Sequence, residues 1–118
     1  MKMNYFVFGT NDRAAAAAFY DQLLADQGFA RIHEDDRMTV WAHAECMFAV
    51  AQPYDGAPAT NGNGTMLGWQ VESPAQVAAL YERVIALGGI DAGEPGIRSG
   101  RFSAYARDLD NNKLCFFH

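Results

Sequence analysis

The chain has 118 residues, half of them apolar and 19% charged, which suits one ordinary globular domain with its own core. No run of about eighteen apolar residues could cross a membrane, and Met1 to Tyr5 lacks the basic stretch, apolar run and cleavage site of a signal peptide, so the expected location is cytoplasmic. The net charge is −5 and the nine basic residues are scattered along the sequence, which argues against a nucleic-acid partner; an acidic surface mildly favours a cationic small ligand, and on the plainer reading serves only solubility.

In chain order, Tyr5 to Phe8 is an apolar, β-prone run closed by Gly9 and reads as a buried strand. Asp12 stands where a side chain can cap a helix that runs through Ala14–Ala18 into Phe19, Tyr20, Leu23 and Leu24. Phe19 and Leu23 share one face, and Gly28 is placed to end the helix. Short strands are expected at 29–33, 38–42 and 46–51, a meander turning at Glu34–Arg37 and His43–Glu45. Residues 52–64 are rich in Gly, Pro and Asn and read as a long connection; Asn61-Gly62-Asn63-Gly64 within it matches no phosphate-binding loop.

The chain then begins again. Residues 66–71 are strand-like. Ser73, Pro74 and Gln76 are an N-cap, a first-turn proline and the partner of a capping box. Val77, Leu80, Tyr81 and Val84 form a stripe at helical spacing, stopped by Gly88-Gly89. Short strands are expected at 90–92, 101–107 and 113–117, with Asp110-Asn111-Asn112 turning between the last two.

An offset of 61 residues lays Tyr5 on Met66, Phe8 on Trp69, Asp12 on Ser73, Phe19-Tyr20 on Leu80-Tyr81 and Gly28 on Gly89. The same order of strand, cap, helix and stop recurs, which predicts a duplicated βαβββ unit. Such a unit is a sheet with a helix on one face and nothing on the other, and two of them can shape a cleft. Side chains alternate along a strand. With bulky Phe6, Phe8, Leu67 and Trp69 under the helices, Tyr5, Val7 and Gly9 face the cleft, as do Met66, Gly68 and Gln70. Trp41, Phe102, Tyr105, Cys115 and Phe117 are further candidates for its lining, the aromatics having ordinary core as their alternative. Cys46 and Cys115 form no CxxC pair and read as two buried thiols. His33, His43 and His118 read as exposed turn or terminal residues, without metal-ligand spacing.

Three stretches in order, Tyr5–Ala25 (YFVFGTNDRAAAAAFYDQLLA), Asp55–Gly89 and Ala104–His118 (AYARDLDNNKLCFFH), resemble the vicinal oxygen chelate superfamily of glyoxalases, bleomycin-resistance proteins and extradiol dioxygenases, over nearly the whole chain. The resemblance implies an α+β fold of two βαβββ modules, eight strands forming a cleft or half-barrel in one domain of residues 1–118, with module one at about 1–52, the connection at about 53–64 and module two at about 65–118. It also implies a homodimer. The superfamily's metal-ligand positions, usually His, Gln or Glu, fall on Tyr5, Met66 and Cys115. A phenol, a thioether and a lone thiol suit zinc, nickel, manganese or iron(II) poorly. The expectation is therefore a protein without a metal that binds a small organic ligand. The rivals are a divalent-metal glyoxalase-like lyase, isomerase or dioxygenase, and a structural or regulatory homodimer with no small ligand.

Overall fold

The structure is a computed structural model describing residues 1–118, and it divides into two compact units, Met1–Thr60 and Asn61–His118. Each unit is a βαβββ module. Module one runs β1 (Tyr5–Gly9), α1 (Arg13–Leu23), β2 (Ala30–Glu34), β3 (Met38–His43) and β4 (Cys46–Ala51). Its sheet has the order β1-β4-β3-β2, with β1 parallel to β4 and the rest antiparallel. A parallel pair needs a long crossover, and α1 with the β2–β3 hairpin supplies it.

The Asp12 carboxylate accepts the Ala15 backbone N–H at 3.0 Å and so starts α1. Leu24 caps its far end, earlier than Gly28, because Ala25 and Gln27 bond three residues back and tighten the chain into turns. Gly28, at φ 80°, then turns the backbone into β2. The inward side of α1 buries Tyr20 and Leu23 completely, Tyr20 against Phe48 and Trp41, each such burial stabilising by about 1.5–3 kcal/mol. The β2–β3 turn is held by Asp35. It accepts from the Arg37 and Met38 backbone N–H groups and contacts His33, and the His33 bond first, with those amides, holds its carboxyl at about 2.

Module two repeats the plan with β5 (Met66–Gln70), α2 (Pro74–Ala86), β6 (Ile90–Arg98), β7 (Arg101–Arg107) and β8 (Lys113–Phe117), in the order β5-β8-β7-β6. The Ser73 hydroxyl caps α2 by accepting the Gln76 N–H, and the Gln76 side chain reaches back to the Glu72 N–H. At the other end Gly88 and Gly89 close the helix with bonds to the Ile85 and Val84 carbonyls. Gly89 is also required by space, since a Cβ there would lie 2.5 Å from the Arg107 carbonyl oxygen.

The 61-residue offset carries β1 onto β5 without a gap. By the last strands it has grown to 66, for Phe6 pairs with Phe48 while its counterpart Leu67 pairs with Leu114. One added residue lies between β7 and β8 and the others in the β6–β7 hairpin, where β6 extends well past the expected 90–92. It absorbs Gly93, Pro95 and Gly96 through two breaks in its register with β7. Being an edge strand, it tolerates a proline that cannot donate.

Two hairpin turns differ in fitness. Ser99-Gly100, at φ 50° and 76°, has the two left-handed residues of a type I′ turn between Arg98 and Arg101. The His43–Cys46 turn instead places Ala44 at φ 50°. Ala44→Gly should therefore raise stability by about 0.5–1 kcal/mol, because relief of the left-handed alanine exceeds the added chain entropy. Denaturant unfolding monitored through circular dichroism would read the gain.

Candidate functional site

In each module one sheet face carries the helix and the other has none. In module one the helix face is fixed by Trp41, whose indole N–H donates to Asp21 on α1 at 2.9 Å. Phe6, Phe48 and Arg31 lie beside it in register. The opposite face therefore presents Tyr5, Val7, Met47 and Ala49; Tyr5 and Val7 are about half exposed, at 49% and 47%. In module two Asp91 accepts from the Tyr81 hydroxyl of α2 at 3.0 Å, which places Asp91, its neighbour Ala106, and Leu114 on the helix face. The face without a helix carries Met66, Gly68 and Gln70 on β5, Lys113, Cys115 and Phe117 on β8, and Ser103, Tyr105 and Arg107 on β7.

Of the ten residues expected at a cleft, the two on the wrong side are Trp41 and Phe102. Trp41 is 2% exposed under α1, between Tyr20 and Phe48 in the aromatic core. Phe102 alternates with Ser103 and Tyr105 and so shares the face of Ala104 and Ala106. Tyr5 and Val7 share the face of module one without a helix. Met66, Gly68, Gln70, Tyr105, Cys115 and Phe117 share that of module two.

The face of module two also holds a feature the sequence reading passed over. The Lys113 ammonium and the Arg98 guanidinium lie 5.1 Å and 5.2 Å from the Tyr105 ring centre, and the Arg101 guanidinium lies 5.4 Å from that of Phe117. Arg107 pairs across to Lys113. These four cations fall within one stretch of three consecutive strands, and strand parity puts them on one face. Burial pushes the Cys115 thiol up from its ordinary value, against a Tyr105 hydrogen bond and the Lys113 and Arg98 charges that pull it down. It is a protonated thiol at neutral pH rather than a nucleophile. Both cysteines are free.

A pocket of about 550 Å³ lies within module one, between Thr10-Asn11, Asp36-Arg37 and the connection from Gln52 to Pro58. Arg37 stacks on Tyr54 at 5.7 Å there. Asn11 pins the connection by exchanging two hydrogen bonds with the Ala59 backbone. None of the expected cleft residues lines this pocket.

The three histidines are exposed. His33 contacts Asp35, and His43 and His118 bond the Gly28 and Val71 carbonyls. No three His, Cys, Asp or Glu side chains form a group able to hold a metal ion.

The sequence model described as the Glyoxalase/Bleomycin resistance protein/Dioxygenase superfamily matches residues 2–116. The chain belongs to that superfamily. A solved glyoxalase/bleomycin resistance protein from Albidiferax ferrireducens is 35% identical, with a TM-score of 0.91 over 98% of this chain and 97% of that one. At 18% identity and a TM-score of 0.74, a lactoylglutathione lyase from Agrobacterium tumefaciens matches over 98% of this chain and 92% of its own. A fosfomycin resistance protein from Mesorhizobium loti is 15% identical, with a TM-score of 0.73, over 98% and 90%. These last two share the fold. No curated protein matches the chain. No helix of this superfamily member is long and apolar enough to cross a membrane.

The resemblance would put the superfamily's metal ligands at Tyr5, Met66 and Cys115. Tyr5 offers a neutral phenol, Met66 a neutral thioether, and Cys115 a thiol pushed up by burial. A divalent ion that polarises oxygen needs imidazole or carboxylate. These residues do not fit such an ion.

Proposed function

We propose that this superfamily member is a metal-free, small-molecule binding protein of the bleomycin-resistance kind, one that holds a ligand rather than transforming it. The observation that carries this reading is the donor set at Tyr5, Met66 and Cys115. Gly68 beside Cys115 and Gln70 beside Phe117, with Tyr105, give module two a surface suited to an organic molecule. A homodimer and a cytoplasmic location belong to the same proposal.

The test is metal content. Untagged protein, incubated in turn with zinc, nickel, manganese and iron(II) and then desalted, is expected to retain well under one equivalent of each. Its melting temperature should move by less than about 1 °C with metal or chelator, because an ion that does not bind the folded state cannot stabilise it. Stoichiometric retention of any one ion would overturn the proposal and favour a metal-dependent lyase, isomerase or dioxygenase.

A further inference from the structure

Charge is distributed unevenly between the modules. Residues 1–60 hold eight acidic and four basic side chains, and residues 61–118 hold six and five. Four of those five, Arg98, Arg101, Arg107 and Lys113, lie on the face of module two that carries no helix. None of the four forms an ion pair, while Lys2, Arg13 and Arg31 of module one all do. Three of the six carboxylates of module two are engaged elsewhere. Asp91 binds Tyr81 beneath α2, Glu94 also acts on Tyr81, and Asp108 is bound inside the β7–β8 turn.

The backbone holds two of the cations in place. Arg98 donates to the Ser103 and Glu94 carbonyls, and Arg107 to the Asn111 carbonyl. The other two, Arg101 and Lys113, rest on ring faces. The like charges of Arg98, Arg101 and Lys113 around the Tyr105 and Phe117 rings repel each other and raise the local potential, and a compact anion relieves that repulsion. A long polyanion would also meet the net charge of −5 of the whole chain. Beside the cations, Tyr105 and Phe117 offer apolar ring surface, and Gly68 leaves Phe117 open on one side, its nearest ring carbon 3.4 Å from where a Cβ would stand.

We infer that this face binds a small organic oxyanion, a carboxylate or phosphate ester, with its head among Arg98, Arg101 and Lys113, whose charged groups lie over the Tyr105 and Phe117 rings, and its apolar body against those rings beside Gly68. The inference rests on the small-molecule reading above and reverses the expectation of a cationic ligand drawn from net charge alone.

Benzoate, phenyl phosphate, benzylammonium and benzyl alcohol, titrated separately into ¹⁵N-labelled protein, test it. The two anions are expected to shift the amides of Gly68, Ser103, Tyr105, Cys115 and Phe117, and benzylammonium to leave them unmoved. The double variant Arg101→Gln/Lys113→Gln should weaken phenyl phosphate by about tenfold or more with an unchanged amide spectrum elsewhere, since the two lost charge-assisted contacts together are worth at least that factor. Both side chains rest on ring faces and form no ion pair, so the fold survives their loss. Undiminished anion binding in that variant would overturn the inference. Equal shifts with benzylammonium or benzyl alcohol would overturn the preference for an anion and leave small-molecule binding standing. No shift with any of the four would overturn both.

Discussion

Trp41→Ala is expected to destabilise module one by about 3–5 kcal/mol, a third or more of the stability of a typical domain. Trp41 is 2% exposed, its ring centre 6.0 Å from those of Phe48 and Tyr20, and its N–H donates to Asp21 at 2.9 Å. Alanine would leave a cavity at the centre of the aromatic cluster and remove one of the two partners of Asp21, the other being Arg31. Trp41→Phe separates the two losses. It keeps most of the packing and removes the donor, at a cost of about 1 kcal/mol for the bond beyond the change in ring size. Urea unfolding by circular dichroism gives both values. A Trp41→Ala protein within 1 kcal/mol of the wild type would show that the indole does not sit under α1, and would return it to the open face where the sequence reading placed it.

That error and its partner at Phe102 show where strand parity could be read and where it could not. On β1 and β5 the choice was sound because Phe6, Phe8, Leu67 and Trp69 are bulkier than the residues between them, so one parity fills a core and the other does not. On β3 both sides of Trp41 are small or β-branched, and no neighbour said which face the indole served. The deciding contact is Asp21, twenty residues away on α1, and long-range polar pairs leave no periodic trace. The helices and their caps were legible because capping is local: Asp12 and Ser73 bond amides three residues on. The extent of β6 was hidden by Gly93, Pro95 and Gly96, which read as the end of a strand but are carried by breaks in register at a sheet edge. The cationic face was present in the sequence but unread. Arg101, Tyr105 and Arg107 sit at even spacing on one strand and Lys113, Cys115 and Phe117 on the next, and the alternation that assigned the aromatics to a face assigns the cations to the same one.

Asp108→Ala is expected to cost module two about 3–5 kcal/mol, because three donors lose a charged acceptor where water has little access. Asp108 is 5% exposed and Asn112 2%. One Asp108 carboxylate oxygen accepts the Asp110 and Asn112 backbone N–H groups at 2.9 Å each, and the other accepts the Asn112 side-chain amide at 3.0 Å. The turn also sets Asn111 at φ 66°, a conformation asparagine tolerates better than most residues. Its ends are Arg107 and Lys113, which face each other across the β7–β8 pair, and the Asn111 carbonyl receives the Arg107 guanidinium. The carboxylate that closes the hairpin thus also sets the spacing of two of the four cations. Asp108→Asn should fall between wild type and alanine, since its amide oxygen can keep the two backbone bonds while its NH₂ confronts that of Asn112. Denaturant unfolding orders the three proteins. A wild-type midpoint for Asp108→Ala would mean that water replaces the carboxylate without loss, and the turn would then hold neither the fold nor the spacing of Arg107 and Lys113.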